Sequence, residues 1–335
     1  MKIGILTFHY SNNYGANLQA YALNKVLRLK GYDVEVINYI PSYYTPKNII
    51  RNLGISKNIS DLTIDELNII WLIKKIHIKL KYIDSITKKF EDFRNENIDL
   101  SNKVNIDQLQ NFLGNYDVII VGSDQVWNPS QRAKPEYFLD FDTYQGTRIS
   151  YAADSTNENI VPKNREKLTE CLTKFKDISV RNEHSRNFVR NLLGREVPIV
   201  VDPTLLHDFS EFDLNEEQKS PYILSYVLGK EICGTHQEAI KYIKSIYGNL
   251  PIYAIIIPSM NFHLPNYADK LLFDISPIEY LNLFYNARFI YTDSFHGALF
   301  SLKFHKPFLA YYSEKMRALG EIFNYSDKVG VSNII

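Results

Sequence analysis

The stretch Arg288–Leu302 constrains the fold more than any other part of this 335-residue chain. Its first half is a short aromatic and β-branched run, which predicts a buried strand. From Gly297 onwards the pattern predicts a helix, and the intervening Thr292–Ser294 are all good helix N-caps. A strand that passes into a helix in this way places backbone N–H groups and the positive end of a helix dipole at the carboxyl edge of a sheet. Anionic ligands bind at such edges.

A histidine, His296, stands at this junction and is followed by Gly297. Two interpretations fit: a partly buried histidine beside an N-cap, or a histidine that faces a ligand. The imidazole is the side chain that changes charge near neutral pH, and a glycine lets a ligand approach the backbone closely. Because strand end, cap, titratable ring and glycine fall within six residues, we favour the second interpretation and predict Ser294, His296 and Gly297 as site residues.

Length and composition limit the class of protein. A chain of 335 residues suggests two domains, and 38 basic against 38 acidic residues give a net charge of zero, which argues against a nucleic-acid binder. Cys171 and Cys233 are far apart and lack metal-ligand spacing, so a reducing compartment is expected. The N-terminal apolar run is too short for a signal peptide, and no apolar stretch is long enough to span a bilayer. These features predict a soluble cytoplasmic protein.

Strands and helices alternate from the start of the chain. Lys2–Phe8 predicts a buried strand, Asn17–Leu29 a helix and Val34–Ile40 a second strand, which is the opening of a doubly wound sheet. The turn before the helix lacks the GxGxxG fingerprint of dinucleotide sites. It nevertheless contains Asn13 and Gly15, which offer a polar helix N-terminus with room for a close ligand. A ligand role and a simple turn fit these two residues equally well.

Further strands of the first domain are predicted at 117–121, 148–153, 178–180 and 198–201. Asp124 follows the first of these, where a carboxylate either faces a ligand or caps the turn. Arg181 follows the third. An arginine is a poor core residue but suits a bidentate clamp on a carboxylate or phosphate.

The sequence of residues 61–93 predicts a long helix with its apolar residues on one side and its lysines elsewhere. The apolar residues are Leu67, Ile70, Trp71, Ile73 and Leu80. The lysines are Lys74, Lys75, Lys79, Lys81, Lys88 and Lys89. Such a helix suits an anionic membrane surface. More often such a helix is a lid or a packed insertion with a solvated face, and we favour that interpretation.

The polar segment 208–220 predicts a linker, after which a second strand–helix series begins at 222–228. The predicted fold is therefore α/β, with two Rossmann-like doubly wound domains that face a cleft. The N-terminal domain covers 1–210 with a helical insertion at about 61–95, and the C-terminal domain covers 211–335. Polar residues follow strands in both halves, namely Asn13, Asp124 and Arg181 in the first and His296 and Lys315 in the second. A titratable ring that faces fixed cations suits a small acidic substrate that needs proton transfer.

In these segments the chain resembles the polysaccharide pyruvyl transferase family. The matching segments, in order, are Asn13–Gly15 with the alanine-rich helix after it, Val121–Asn128, Ser179–Asn182, Val201–Leu206 and Ser294–Gly297, and they span nearly the whole chain. The resemblance implies a two-domain fold similar to GT-B glycosyltransferases. It also implies transfer of a pyruvyl unit from phosphoenolpyruvate onto two hydroxyls of a sugar, as a ketal, with release of phosphate. The sugar would belong to a polysaccharide or its lipid-linked precursor.

The same resemblance implies roles for individual residues. Arg181 falls on the strand-end arginine of the family, His296 on its essential histidine, and Lys315, with a one-residue shift, on a lysine that follows that histidine. Histidine would move the proton, while arginine and lysine would hold the carboxylate and phosphate of the donor. Asn182 stands where the family often has aspartate, and Ser294 stands where it often has arginine. These two differences leave the resemblance intact, but they mean that the acceptor sugar cannot be inferred from the family.

Two other functions stay open from the sequence. One is a nucleotide-sugar-dependent glycosyltransferase of the same architecture, and the other is a non-catalytic binder of sugar phosphates. The expected partners are phosphoenolpyruvate and a sugar or glycan acceptor, with no nucleic acid. No His/Cys/Asp cluster has metal spacing, so no metal and no cofactor are expected. Peripheral contact with the inner face of a membrane is the alternative to a purely cytoplasmic location.

Overall fold

The computed structural model describes residues 1–42, 69–128, 135–214, 220–228, 236–260, 262 and 264–310. These residues form two compact units. The first contains the described parts of 1–44 and 93–209, and the second contains those of 45–92 and 210–335.

A five-stranded parallel sheet forms the centre of the first unit, in the order β2-β1-β3-β4-β5. Its strands are β1 Lys2–Leu6, β2 Asp33–Val36, β3 Val118–Gly122, β4 Thr147–Ala153 and β5 Asp177–Val180. The described α-helices up to residue 193 are α1 Tyr14–Leu29, α2 Ile69–Asn97, α3 Ile106–Leu113, α4 Arg165–Thr173 and α5 Glu183–Leu193, and α2 belongs to the second unit up to residue 92. The central strands read as continuous apolar runs because helices cover a parallel sheet on both faces.

The second unit is built on another five-stranded parallel sheet, in the order β10-β9-β6-β7-β8. Its strands are β6 Ile223–Tyr226, β7 Ile252–Ile255, β8 Lys270–Leu272, β9 Phe289–Thr292 and β10 Phe308–Ala310. The described helices between them are α6 His236–Tyr247, α7 Pro277–Asn286 and α8 Phe295–Lys303. Two doubly wound α/β units confirm the predicted fold class, and the predicted cleft between them stays a prediction.

Each sheet has a point where the strand order reverses. In the first sheet the reversal lies between the neighbours β1 and β3, and in the second it lies between β6 and β9. The loops that leave these adjacent strands run to opposite faces, so a crevice opens beyond their carboxyl ends. Ligands of open α/β sheets bind in that crevice, which makes the two reversal points the places to look for a site.

The long helix α2 does not follow its predicted pattern of burial. Ile73 and Leu80, predicted on the packed side, are 61% and 58% exposed, whereas Lys75 and Lys79, predicted on the solvated side, are almost fully buried. Both ammonium groups lie over the ring of Phe262, at 5.3 and 5.4 Å from its centroid. The prediction of which face of α2 is buried is therefore wrong for these four residues. The two lysines are buried because the Phe262 ring contacts both ammonium groups and backbone carbonyl oxygens of the second unit accept hydrogen bonds from Lys79.

Hydrogen bonds also explain why most of α2 groups with the second unit rather than with the N-terminal domain. Lys79 Nζ donates to the carbonyl oxygens of Pro258 at 2.9 Å and Met260 at 2.7 Å. Lys89 Nζ donates to the carbonyl oxygen of Asp274 at 3.0 Å. Burial, and to a lesser degree the charge of Lys75, lowers the pKa of Lys79 to about 8. The described part of the helical insertion thus belongs, up to residue 92, to the second unit, which corrects its predicted place in the first.

Several boundaries differ from those predicted. The strand predicted at 198–201 is wrong: Ile199 forms only a single bridge to Val180, and two prolines, Pro198 and Pro203, restrict further pairing because they lack an N–H group. Helix α3 and strand β8 were not predicted. Within the described residues, no helix combines the length and apolar composition that a membrane span requires.

Candidate functional site

The reversal point of the first sheet is held together by its own polar side chains. Thr7 follows β1 and Ser123 follows β3, and the Thr7 hydroxyl donates to the carbonyl oxygen of Ser123 at 3.0 Å. Gln19 on α1 donates from Nε2 to Thr7 Oγ1 at 2.9 Å. All three side chains are buried. The carboxyl ends of β1 and β3 are therefore tied to each other and to the helix that starts beside them.

The turn with Asn13 and Gly15 forms the start of α1, three residues earlier than predicted. Asn13 is the N-cap, and its side-chain oxygen accepts a hydrogen bond from the Ala16 amide at 3.1 Å. Asn17 Nδ2 donates to the carbonyl oxygens of Ser11 at 2.6 Å and Asn13 at 2.8 Å, which fixes the turn. No acidic residue occupies the first turn of α1, so its dipole is not offset there and favours an anion.

His9 adds a second rigid polar group near this edge. Its ring is buried, with Nδ1 at 3.2 Å from the carbonyl oxygen of Thr7 and Nε2 at 3.2 Å from Asn38 Oδ1. Burial lowers the pKa of His9 to about 4, although its two hydrogen bonds act in the opposite direction. The ring is consequently neutral at pH 7, so one of its nitrogens donates to one of these two oxygens.

Arg181 is buried among carboxylates rather than exposed to a ligand. Its Nη2 lies 2.5 Å from Asp154 Oδ2, and its Nη1 lies 2.9 Å from Asp202 Oδ2. Both carboxylates are themselves buried. Burial alone would lower the pKa of Arg181, but the charges of Asp154, Asp202 and Asp124 together raise it above its ordinary value. The guanidinium is therefore a fixed cation that balances buried aspartates, and its contact with a donor stays a prediction.

The two buried aspartates have further donors, which hold the cluster in one arrangement. Asp202 accepts hydrogen bonds from the Ser123 hydroxyl at 2.7 Å and the Thr204 hydroxyl at 2.8 Å. Asp154 accepts from Asn182 Nδ2 at 3.1 Å. Neither Asp154 nor Asp202 was predicted as a site residue, although each directly follows a predicted strand, much as Asp124 comes shortly after one. That repeated position was the signal that could have identified them.

Asp124 is the member of this cluster that reaches solvent. Its side chain is 16% exposed and its Oδ1 lies 3.8 Å from Arg181 Nη2. Its backbone has φ = 67°, in the left-handed region that non-glycine residues seldom adopt and that is often found at functional sites. The backbone is fixed there because the Asp124 carbonyl accepts from the Asp154 amide at 3.1 Å. The cluster thus presents one carboxylate, Asp124, at the reversal point.

At the reversal point of the second sheet, side chains again join two strand ends. Asp293, after β9, accepts a hydrogen bond at Oδ1 from the Leu228 amide, after β6, at 2.6 Å. The Thr292 hydroxyl donates to the carbonyl oxygen of Tyr226 at 2.6 Å. Burial, followed by the charge of Asp293, raises the pKa of the Tyr226 hydroxyl above its ordinary value, so this buried phenol stays protonated.

The predicted strand–cap–helix junction is present at this edge. Ser294 is the N-cap of α8, and its hydroxyl accepts from the Gly297 amide at 3.3 Å. The helix begins at Phe295, two residues before the predicted start, so His296 lies in its first turn. His296 is 9% exposed, and its ring meets that of Phe295 edge to face at 5.3 Å. As in α1, no acidic residue occupies the first turn.

Gly297 has a packing role that the sequence did not suggest. A Cβ atom at this position would collide with the hydroxyl of Thr292 and press against the ring of Tyr226. The glycine therefore lets α8 approach β9 and β6 closely, which keeps His296 at the strand edge. Ligand contact through the Gly297 backbone stays a prediction.

The structure groups the predicted site residues into two sets. Asn13, Gly15, Asp124 and Arg181 lie in the first unit, and Ser294, His296 and Gly297 lie in the second. Lys315 lies outside the described residues. The prediction that Arg181 and His296 face one cleft concerns residues of different units and stays a prediction.

The sequence of the chain matches a known protein family. A family model described as polysaccharide pyruvyl transferase matches residues 13–314. Among curated protein sequences, none matches the chain.

Solved structures show a likeness of fold. The UDP-GlcNAc 2-epimerase from Methanocaldococcus jannaschii is 14% identical with a TM-score of 0.52, and the match covers 99% of this chain and 89% of that one. S. aureus MnaA, in a structure with UDP, is 15% identical with a TM-score of 0.50, over 93% and 80% of the two chains. Arabidopsis thaliana UGT89C1, complexed with UDP-L-rhamnose, is 11% identical with a TM-score of 0.51, over 98% and 84%. At these identities the likeness concerns the fold alone, which is similar to that of GT-B glycosyltransferases.

Proposed function

The chain belongs to the polysaccharide pyruvyl transferase family, and on that premise we propose that it transfers a pyruvyl group from phosphoenolpyruvate onto two hydroxyls of a sugar. The sugar belongs to a polysaccharide or its lipid-linked precursor, and the product is a ketal. The observation that carries the proposal is the position of His296, which lies in the first turn of a capped helix at the reversal point of a parallel sheet.

The reaction moves two protons. Both new C–O bonds form at the central carbon of the enolpyruvate, and the C–O bond to phosphate breaks. One hydroxyl proton ends on the methylene carbon, which becomes a methyl group, and the other leaves on phosphate. Protonation of the methylene carbon generates the oxocarbenium-like centre that a sugar hydroxyl attacks. A histidine is suited to deliver that proton because it exchanges protons near neutral pH.

The electrostatics of the two reversal points suit different substrates. In the first unit three carboxylates surround one guanidinium, so the cluster has a net charge of −2 (one positive minus three negative). Beside these carboxylates a trianionic donor is disfavoured in spite of the nearby N-terminus of α1, whereas a sugar hydroxyl that donates to Asp124 is favoured. In the second unit, Ser294, His296 and a helix N-terminus without an acidic first turn suit the carboxylate and phosphate of the donor.

The experiment that tests this function is phosphate release from phosphoenolpyruvate with a panel of lipid-linked and nitrophenyl glycosides. His296→Ala should fold normally and lose about 10²–10⁴ in turnover, as expected for a lost general acid. His77→Ala is the matched control, because His77 is exposed on α2. Wild-type turnover in His296→Ala would refute the catalytic assignment. Release of nucleotide from nucleotide sugars, without consumption of phosphoenolpyruvate, would identify a glycosyltransferase instead.

A lipid-linked acceptor would bring the enzyme to a membrane surface, and we include peripheral membrane contact in the proposal. Ile73 and Leu80 are two turns apart on α2 and largely exposed. Lys74 and Lys81 are exposed beside them. Apolar side chains flanked by lysines suit the headgroup region of an anionic bilayer.

Vesicle co-sedimentation tests this contact directly. Wild-type protein should bind phosphatidylglycerol vesicles more strongly than phosphatidylcholine vesicles, and Ile73→Ser/Leu80→Ser should reduce that binding. Ile246→Ser is the matched control, because Ile246 on α6 is 57% exposed. Equal losses in the control and the double variant, or no binding by the wild type, would exclude α2 as a membrane contact.

A further inference from the structure

A second histidine stands at the same edge of the second sheet. Helix α6, which follows β6, begins at His236, and α8, which follows β9, carries His296 in its first turn. Because β6 and β9 are neighbours at the reversal point, both histidines stand beyond the carboxyl ends of adjacent strands.

The two helices lie on opposite faces of that sheet. Ala239 and Ile243 of α6 pack with Tyr291 in one apolar cluster. Gly297 of α8 instead packs against Thr292, whose side chain points to the other face because successive residues of a strand alternate. His236 and His296 therefore flank one crevice from its two sides.

Contacts within the second unit fix the His236 ring. Its Nδ1 lies 2.9 Å from the hydroxyl of Tyr291, and the two rings meet edge to face. The ring of Tyr267 lies against it at 5.3 Å, and the Tyr267 hydroxyl is 3.0 Å from Ser225 Oγ. Tyr291 is fully buried, whereas His236 and Tyr267 are half-buried. A buried phenol needs a hydrogen-bond partner, and His236 supplies it at the rim of the crevice.

We propose that His236 is the second proton-transfer group of the reaction, acting from the side of the crevice opposite His296. The inference rests on the proposed function, in which two hydroxyl protons have two destinations. His296 gives a proton to the methylene carbon and regains one from the first attacking hydroxyl. His236 takes the proton of the second hydroxyl and gives it to the leaving phosphate oxygen. Because Nδ1 faces Tyr291, the exchange with substrate goes through Nε2.

Tyr291 is then a positioning residue, since its hydroxyl acts on the substrate only through the His236 ring. The competing explanation is that His236 merely ties α6 to β9. The two explanations differ for His236→Asn, because an asparagine side chain places a polar atom near the position of Nδ1 but has nothing that titrates at the position of Nε2. A structural tie survives that substitution and proton transfer does not.

The first experiment measures kcat and KM over pH for the wild type, His236→Asn and Tyr291→Phe, with His77→Asn as the control. His236→Asn should lower kcat by about 10²–10⁴ and remove one limb of the pH profile, with little change in KM. Tyr291→Phe should lower kcat less and shift that limb without removing it. A wild-type kcat and an unchanged profile in His236→Asn would overturn the proposal.

The second experiment separates this inference from the proposed function. Phosphoenolpyruvate is titrated into the protein while the ring resonances of His236 and His296 are followed by NMR, with His236→Asn and His296→Ala used to assign them. Shifts of both resonances support a shared donor site even where no acceptor sugar has been found. A shift of His296 alone overturns the role of His236 and leaves the proposed function standing. A shift of neither overturns both.

Discussion

Replacing Arg181 with methionine removes the guanidinium and keeps most of the side-chain volume. The variant leaves Asp154 and Asp202 as buried carboxylates without the guanidinium, whose nitrogens lie within 2.9 Å of each of them in the wild type. Removing one partner of a buried ion pair costs about 3–5 kcal/mol. Because the free energy of unfolding of a domain is only about 5–15 kcal/mol, we expect Arg181→Met to lose a large part of the stability of the first unit.

The free energy of unfolding of that unit can be measured from a single fluorophore. Trp127 is fully buried in the first unit, stacked on Phe138, and Trp71→Phe makes it the sole tryptophan of a chain that has two. Urea unfolding is followed by Trp127 emission in that background. Arg186→Met is the matched control, because Arg186 forms an ion pair with Glu183 that is more than a third exposed. Such surface pairs contribute about 0–1 kcal/mol.

A double variant tests the cause of the loss. Asp154→Asn removes one of the two buried charges, so Arg181→Met/Asp154→Asn should be less destabilised than the sum of its two single variants. Arg181→Lys should fall between the wild type and Arg181→Met, because an ammonium group keeps the charge but lacks the planar fork that reaches both carboxylates. If Arg181→Met unfolds within about 1 kcal/mol of Arg186→Met, the cluster does not depend on the arginine. A contact between Arg181 and the donor substrate, as predicted from the sequence, would then be the better explanation for an arginine at this position.

Three further predictions follow from the same geometry. Gly297→Ala should destabilise the second unit by about 1–3 kcal/mol, as overpacking does. Adding Thr292→Ala to that variant should recover part of the lost stability, measured by urea unfolding. An unchanged unfolding midpoint in Gly297→Ala would contradict the packing role of the glycine. Because burial lowers the pKa of His9 to about 4 from 6.5, the unfolded chain binds a proton that the folded unit does not. Stability present above pH 6.5 should therefore fall by up to about 3 kcal/mol as the pH approaches 4, and a His9→Gln variant with the same pH dependence as the wild type would refute this. Finally, turnover should persist in excess chelator, since no metal is expected from the sequence; activity restored only by added magnesium or manganese would contradict that expectation.

The local signals of the sequence predicted the framework of both units. Asn13 and Ser294 act as N-caps because each side-chain oxygen accepts the amide of a residue three positions later. Such contacts depend on neighbours in sequence, and the same holds for the alternation of buried strands with amphipathic helices. That alternation predicts parallel sheets, so His296 could be placed at the carboxyl edge of a sheet from sequence alone, whereas the strand order came from the structure.

The strand-end positions of Asp154 and Asp202 were visible in the sequence, but their pairing with Arg181 was not, because the three residues come from segments distant in sequence. Asp154 and Asp202 precede and follow Arg181 by 27 and 21 positions, and only the parallel register of the strands brings them together. The burial of Lys75 and Lys79 escaped prediction for a related reason. Helical periodicity assigns lysines to solvent, whereas carbonyl oxygens after β7 accept Lys79 in the folded unit.

At both reversal points, hydrogen bonds join loops that are far apart in the chain. The Thr7–Ser123 bond spans 116 positions, and the bond between the Leu228 amide and Asp293 spans 65. Each bond joins strand ends that are neighbours only in the assembled sheet, so the fold itself fixes the edges of the crevice. A preorganised crevice suits a reaction in which charge develops on an oxocarbenium-like carbon and on a leaving phosphate, because dipoles that are already oriented need no reorganisation in the transition state. The positions of Asp124 in the first unit and His296 in the second therefore depend on buried side chains such as Thr7 and Asp293, which join the strand ends.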